Sequence, residues 1–200
     1  MGLTGCFNME SSVLYLDSPG KKNTDKVLEV VAQRAKRGGL THVVVASDSG
    51  ETGMKAIAAL KGSGVQVVVV TCHCGSEKEG VCEMSKKMED DLQKAGARLV
   101  RATHALSGVE RSINRKIGGS SRVETVAELL RALFGQGMKV AIEITVMAAD
   151  NGAIPCGELE VVAVGGTATG ADTAIVVRPA HSNAFFNMQV REILAIPRKH

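Results

Sequence analysis

Short runs of β-branched residues alternate with amphipathic stretches in the first half of the chain, and this alternation constrains the fold most. Residues 43–46 (VVVA) and 67–70 (VVVV) are apolar at every position, as expected of strands in a parallel sheet that helices cover on both faces. The stretches 24–37 and 52–60 carry their apolar residues on one helical face. This rhythm predicts a three-layer α/β fold with a mostly parallel sheet.

Other runs of strand length complete the predicted sheet. The predicted strands are 13–17, 42–47, 65–71, 98–103, 161–165, 174–178 and 193–196. Residues 139–150 are ambiguous, because their apolar positions fit both a strand and a helical face, and alternation alone favours a strand. No repeat, low-complexity tract or Pro-rich linker interrupts the sequence, so we expect one domain over residues 1–200.

Composition excludes several classes of protein. With 200 residues, 44% hydrophobic and 22% charged, the chain predicts a soluble globular domain. It lacks the roughly 20-residue apolar run of a membrane helix and the start of a signal peptide, so we expect no membrane association and a cytoplasmic location. One Tyr, four Phe, no Trp and a net charge of +3 argue against nucleic-acid binding.

A loop rich in hydroxyl groups follows the predicted strand 42–47. In parallel sheets, ligands bind beyond the carboxyl ends of the strands, where helix N-termini present unpaired N–H groups. This loop carries Ser47, Ser49, Gly50 and Thr52. It could hold a phosphate, but Ser49 or Thr52 could equally cap the next helix without any ligand. The residues leave both roles open.

Two further loops have the same character. Residues 165–173 contain three glycines and three threonines, more than a simple β-turn requires, so they predict a ligand-binding loop or a long flexible hairpin. Residues 103–108 (THALSG) follow a predicted strand and open a predicted helix. His104 in that loop could act as a general acid or base, although no carboxylate partner is identifiable nearby in the sequence.

Several charged residues could face a ligand at these loops. Arg111, Arg115 and Lys116 lie on the helix after residue 108. They could contact an anion, but a charged helical face is more often solvated. Glu143, surrounded by apolar residues, is either a satisfied buried carboxylate or a group directed into the site.

The cysteines permit a metal-site hypothesis. Three of the five cysteines lie between Cys72 and Cys82, and thiolate and imidazole are good zinc ligands. Neighbouring side chains on an extended segment point in opposite directions, however, so Cys72 and His73 cannot both face one ion without a bend. The odd number of cysteines favours reduced thiols over a disulfide framework, and we expect no metal.

Taken in order, the loop segments resemble one superfamily. The matching segments are 19–24 (PGKKNT), 44–47 (VVAS) with 49–52 (SGET), 103–111 (THALSGVER), 147–150 (MAAD), and 165–167 (GGT) with 170–173 (GADT). Over residues 24–179 the chain resembles the C-terminal α/β domain of pyruvate kinase. Over nearly its whole length it resembles the small stand-alone proteins of that superfamily found in archaea and bacteria.

The resemblance implies a topology and a ligand site. It implies a core sheet in the order 3-2-1-4-5 with the last strand antiparallel, which puts the strand 42–47 beside 161–165, and it makes 139–150 a helix. In some pyruvate kinases, a hydroxyl-rich loop after the first of these strands and a glycine-rich loop after the fourth hold phosphorylated sugar effectors. These loops correspond to Ser47, Ser49, Gly50 and Thr52 and to residues 165–173.

The resemblance also implies a cofactor. The stand-alone relatives lack the barrel that performs kinase chemistry, so we expect no pyruvate kinase activity, and they hold flavin mononucleotide (FMN). We therefore expect a phosphorylated ligand, FMN first, with a regulatory module that senses a sugar phosphate as the alternative. The expected cofactor-binding residues are Ser47, Ser49, Gly50, Thr52, Thr103, His104, Ser107, Gly108, Gly165, Gly166, Thr167, Asp172 and Thr173.

The sequence departs from the relatives at two places. Residues 71–74 read TCHC where the relatives have Thr-His-x-Thr, and Gly53 replaces a usual alanine. Independently of this resemblance, a thiolate metal or redox protein built on Cys72, His73, Cys74 and Cys82 is a third possibility. The extra C-terminal strand 193–196 makes a homo-oligomer a further expectation.

Overall fold

The computed structural model describes residues 10–119 and 121–199. Its strands are β1 (Leu14–Leu16), β2 (Leu40–Ala46), β3 (Gln66–Cys72), β4 (Arg98–Ala102), β5 (Glu160–Gly165), β6 (Thr173–Arg178) and β7 (Gln189–Pro197). Its α-helices are α1 (Thr24–Lys36), α2 (Glu51–Ala59), α3 (Lys86–Lys94), α4 (Gly108–Ile117), α5 (Arg122–Phe134) and α6 (Gln136–Asp150). Short 3₁₀ helices span Lys21–Asn23 and Ser182–Asn187. The predicted α/β class is confirmed.

One sheet joins all seven of these strands. Their order is β1-β7-β6-β5-β2-β3-β4, and β6 alone runs against its neighbours. Counted from β2 to β6 in chain order, the central strands lie in the order 3-2-1-4-5. The carboxyl ends of β2, β3, β4 and β5 therefore share one edge of the sheet.

Helices cover both faces, because successive side chains of a strand point to opposite sides. On one face, Val43 and Val45 pack in the core with Val27 and Val31 of α1 and Leu92 of α3. On the other, Val44, Val68 and Val70 pack with residues of α5 and α6. The central strands have no solvated face, which is why their sequences are continuously apolar.

Helix α6 corrects the strand that the alternation of apolar residues predicts for residues 139–150. Residues 139–150 are helical, as the resemblance implies, and not a strand. All residues from 137 to 149 except Val140 are buried. A helix enclosed in this way is apolar on nearly every side, so its sequence lacks the polar face by which a helical period is recognised.

The C-terminal strand is longer than predicted and lies within the sheet. Strand β7 covers Gln189–Pro197 and is paired with β6 on one side and β1 on the other. It is therefore an internal strand and not an edge strand, and the expectation of a homo-oligomer stays a prediction. In the part of the chain described here, no helix has the length and apolar character required to span a membrane.

Candidate functional site

A cleft of about 970 Å³ lies at the carboxyl edge of the sheet, above β2 and β3. All three predicted loops contribute to its lining. The lining residues from these loops are Ser47, Ser49, Thr52, His104, Ser107, Gly166, Ala168, Thr169 and Gly170. Segments far apart in the sequence thus meet at one place, because the strands that precede them are neighbours or next-neighbours in the sheet.

The turn into α2 shows what its hydroxyl groups do within the fold. Ser47 Oγ accepts a hydrogen bond from Gly53 N at 3.2 Å, and Ser49 Oγ accepts one from Glu51 N at 3.4 Å. Both side chains therefore satisfy N–H groups of the first helical turn. Thr52 is buried and lines the cleft, so the predicted capping role belongs to Ser47 and Ser49 and not to Thr52.

Gly50 does not line the cleft; the backbone and packing explain why a glycine stands there. Its φ of 93° lies in the left-handed region, where other residues are strained. A Cβ at this position would lie 2.2 Å from Met88 Cγ on α3. The residue thus allows the turn and the close approach of α3.

Gly165 likewise lies outside the cleft. A Cβ on it would lie 2.2 Å from the carbonyl oxygen of Gly137, so the missing side chain lets α6 approach the end of β5. Thr103 is exposed and outside the cleft, and Gly108 lines an adjoining cavity of about 470 Å³ instead. That cavity shares His104 and Ser107 with the cleft.

Asp172 has a structural role that the sequence did not reveal. Its carboxylate is fully buried and accepts hydrogen bonds from Gly20 N at 2.9 Å, Thr167 N at 3.0 Å and Thr173 Oγ1 at 3.0 Å. Asp172, Thr167 and Thr173 therefore fix the shape of the loop 165–173 and join it to the start of α1. They do not line the cleft, whereas Gly166 does.

Helices α4, α5 and α6 give the cleft a cationic wall. Arg111 and Arg115, two of the predicted cations, line it together with Arg131 and Lys139, while Lys116 lines the adjoining cavity. Within the described ranges, Arg115 has no ion-pair partner.

The other two arginines of this wall have partners. Arg111 pairs with Glu124 at 3.4 Å, and Arg131 Nε donates to Gln136 Oε1 at 2.6 Å. Sequence analysis did not identify Arg131 as a lining residue, because the sequence alone does not show that α5 lies beside the loops.

Lys139 and Glu143 form a buried ion pair in the same wall. They are one turn apart on α6, and their side chains are 4% and 2% exposed. Glu143 Oε1 also accepts a hydrogen bond from Leu106 N at 2.9 Å. Burial lowers the pKa of Lys139, while the Glu143 carboxylate opposes this shift. Glu143 is therefore a buried carboxylate whose two oxygens have protein partners, and it also lines the cleft.

His104 is half-buried beside this pair. Burial lowers its pKa, and the nearby Glu143 carboxylate partly counters that effect. The imidazole is therefore neutral near pH 7. Its ring lies edge to face with that of His73, with centroids 5.7 Å apart. Glu143 is the carboxylate neighbour that the local sequence could not supply.

Acidic residues lie among the other lining residues. Asp48, Glu77 and Glu83 line the cleft, and Asp48 Oδ1 accepts a hydrogen bond from Cys72 N at 3.1 Å. Burial, together with the Asp48 carboxylate, raises the pKa of the Cys72 thiol to about 11. Cys72 is therefore a neutral thiol near pH 7.

The cysteine cluster corrects the expectation of reduced thiols. Cys74 and Cys82 form a disulfide, while Cys72 and Cys156 are free. An odd number of cysteines argues against a framework of several disulfides, but it does not exclude one local disulfide. The chain between Cys74 and Cys82 turns back on itself and brings the two residues together. No group of three or more His, Cys, Asp or Glu side chains suited to a metal ion occurs in residues 10–119 and 121–199.

The chain was also compared with known protein families. No family model matches it.

Proposed function

We propose that this protein binds a phosphorylated small molecule in the cleft, with FMN as the leading candidate. The observation that carries the proposal is that three loops predicted separately from the sequence line one cavity. The cavity lies where β2 has β3 on one side and β5 on the other, the kind of switch point at which open α/β sheets bind ligands. Its volume of about 970 Å³ suits a ligand of nucleotide size.

The proposed phosphate contacts are at the start of α2. A serine hydroxyl that accepts one hydrogen bond can still donate its own proton, so Ser47 and Ser49 can cap the helix and contact a phosphate together. Thr52 adds a third hydroxyl, and Gly50 provides the turn that brings these groups to the helix N-terminus, whose dipole favours an anion.

The fold supports a wider proposal. The order 3-2-1-4-5 of the central strands, with β6 antiparallel, supports membership of the pyruvate kinase C-terminal domain superfamily. In some pyruvate kinases the corresponding loops hold phosphorylated sugar effectors, which agrees with the site proposed here.

A regulatory module that senses a sugar phosphate is the second candidate, and one observation favours it. Among residues 10–119 and 121–199, the lining includes no Phe, Tyr or Trp, so these residues provide no aromatic side chain of that kind on which a flavin ring could stack. Hydroxyl groups and the carboxylates of Asp48, Glu77 and Glu83 suit the hydroxyls of a sugar. Thermal stabilisation by sugar phosphates but not by FMN would favour this candidate.

Titration with FMN tests the leading candidate. The purified protein is expected to quench FMN fluorescence in a saturable manner and to bind riboflavin more weakly, because riboflavin lacks the phosphate. A protein that quenches neither compound, and whose visible spectrum shows no flavin, would remove FMN from the proposal.

The variant Thr52→Ala tests the phosphate position. Loss of one hydrogen bond to a charged group costs about 1.5–3 kcal/mol, so Thr52→Ala and Ser49→Ala are each expected to weaken FMN binding about tenfold or more with little effect on riboflavin. Ser63→Ala, in the turn that follows α2 and outside the cleft lining, is the matched control. Equal weakening of both compounds, or unchanged affinity with a lower Tm, would mean that these hydroxyls do not contact the phosphate, and residues 103–108 would then be the next phosphate position to test.

A further inference from the structure

The segment 74–83 between β3 and α3 is held in place by few contacts other than its disulfide. None of its residues is buried, and only Ser76 is half-buried. Two backbone hydrogen bonds lie within it, from Gly75 N to the Val81 carbonyl at 2.7 Å and from Val81 N to the Lys78 carbonyl at 3.0 Å. The Cys74–Cys82 bridge, eight residues apart in sequence, is therefore its principal restraint.

The two sulfur atoms have different surroundings. One guanidinium nitrogen of Arg101 lies 3.6 Å from Cys74 Sγ, and the same side chain pairs with Glu89. A neighbouring guanidinium stabilises a thiolate, and a more stable thiolate is a better leaving group in disulfide exchange. Cys74 and Cys82 are both exposed, so the neighbouring Arg101 distinguishes them: it favours Cys74 as the leaving sulfur and Cys82 as the sulfur that is attacked. Cys72, in contrast, is buried and kept as a thiol.

We propose that the Cys74–Cys82 disulfide is a thiol–disulfide exchange site whose substrates are small thiols and their disulfides, and that its reduction releases the segment 75–81. A small thiolate attacks Cys82 Sγ and forms a mixed disulfide. The bond to Cys74 breaks, and its electron pair leaves on Cys74 Sγ beside Arg101.

A second small thiolate completes the exchange. It attacks the small-molecule sulfur of the mixed disulfide and releases Cys82 as a thiolate. Two small thiols are thereby oxidised to one disulfide while the protein disulfide is reduced to two thiols. The protons that the small thiols lose balance those that the two cysteines gain, and the reverse reaction restores the bridge.

This exchange would also change the cleft. Ser76 and Glu77 within the segment and Glu83 beside Cys82 all line it, so release of the segment loosens one wall. The dependence of ligand affinity on the redox state rests on the proposed function, whereas the exchange itself does not.

Thiol counting under native conditions tests the exchange. Incubation with reduced glutathione at increasing ratios to its disulfide is expected to raise the number of alkylated thiols by two. Arg101→Gln is expected to slow the reduction at least about threefold, because the leaving thiolate loses its cation. Arg98→Gln, on the same strand but away from the disulfide, is the matched control. A gain of thiols only in denaturant, or equal rates in both variants, would overturn the proposal.

Trypsin cleavage after Lys78 tests the release of the segment. Reduction is expected to quicken this cleavage about tenfold or more, since local opening exposes the backbone. The double variant Cys74→Ser/Cys82→Ser should be cleaved as fast as the wild-type protein with a reduced disulfide, whether or not reductant is present. Equal cleavage of oxidised and reduced protein would refute the release of the segment.

FMN titration of the two redox states separates this proposal from the proposed function. A lower FMN affinity in the reduced protein would support the effect on the cleft, and equal affinity would refute that effect. Absence of FMN binding in both states would count against the proposed function, while the thiol and trypsin measurements would still decide the exchange site.

Discussion

The buried ion pair of α6 allows a quantitative prediction about stability. Replacement of Lys139 by Met would leave the Glu143 carboxylate buried without its ammonium partner, with the Leu106 N–H as its remaining hydrogen bond. Removal of one member of a buried pair typically costs about 3–5 kcal/mol. In a domain of this size each kcal/mol lowers Tm by about 2–4 °C, so Lys139→Met should lower Tm by about 6–20 °C.

The complementary variant completes a double-mutant cycle. Glu143→Gln keeps an acceptor for Leu106 N but leaves a buried ammonium at Lys139, so we expect a loss of similar size. The double variant Lys139→Met/Glu143→Gln has no unpaired charge and should lose about 1 kcal/mol, far less than the sum of the singles. The coupling free energy is then several kcal/mol.

The pH dependence of Glu143→Gln gives a second signature. The pKa of Lys139 is already lowered by burial, and loss of the Glu143 carboxylate removes the group that raises it. The unfolded chain then binds more protons than the native state between the folded pKa and about 10.5. Stability should therefore rise with pH through that window and be lost as pH falls through the folded pKa.

Urea unfolding followed by far-UV circular dichroism measures all four proteins. The free energies of unfolding at pH 7 give the coupling, and repeated measurements up to pH 10 give the pH dependence. If the losses of the two single variants simply add in the double variant, Lys139 and Glu143 are not energetically coupled, and the reasoning from a buried ion pair is refuted.

Three further predictions concern His104, Gly53 and the disulfide. Burial lowers the pKa of His104 below its usual 6.5, so its contribution to stability is complete above pH 6.5 and is lost as the pH falls through the pKa of the folded state. His104→Asn should therefore reduce the fall in unfolding free energy that urea titrations show between pH 7.5 and 5, and an unchanged fall would contradict this. Gly53→Ala gains about 1 kcal/mol of helix propensity, but its Cβ would lie 2.8 Å from Val69 Cγ2, and overpacking costs about 1–3 kcal/mol. We therefore expect a net fall in Tm. A rise in Tm would show that Val69 can move aside at little cost. Cys74→Ser/Cys82→Ser should lose roughly 2.5 kcal/mol relative to oxidised protein through greater unfolded-chain entropy, and equal urea midpoints would contradict that estimate.

The central strands could be predicted closely because both neighbouring layers demand the same residue type. The runs at 43–46 and 67–70 lie within β2 and β3, and the helix predicted at 24–37 matches α1 to one residue. Helix α6 was not determined by periodicity, because contacts on nearly every side remove its polar face. For that element the resemblance carried information that local physical chemistry did not.

The site was predictable in part for a similar reason. Loops at the ends of parallel strands show themselves by glycine and hydroxyl content, and residues from all three predicted loops line the cleft. Arg131 and Lys139 were missed because their contribution depends on how α5 and α6 cross the sheet. The carboxylate of Asp172 was assigned to the ligand because a sequence does not show that Gly20, 152 residues away, would supply one of its three hydrogen-bond donors.

The polar groups of α6 are difficult to explain by folding stability alone. Lys139 and Glu143 occupy a helix that is otherwise almost wholly apolar and buried, where a well-packed apolar pair is often as stable as a buried ion pair or more so. Both groups line the cleft, and Arg111 and Arg131 add their charge to the desolvation that lowers the pKa of Lys139. A buried ion pair that contributes little to stability but lines this cleft is consistent with the proposal that the cleft binds a charged ligand.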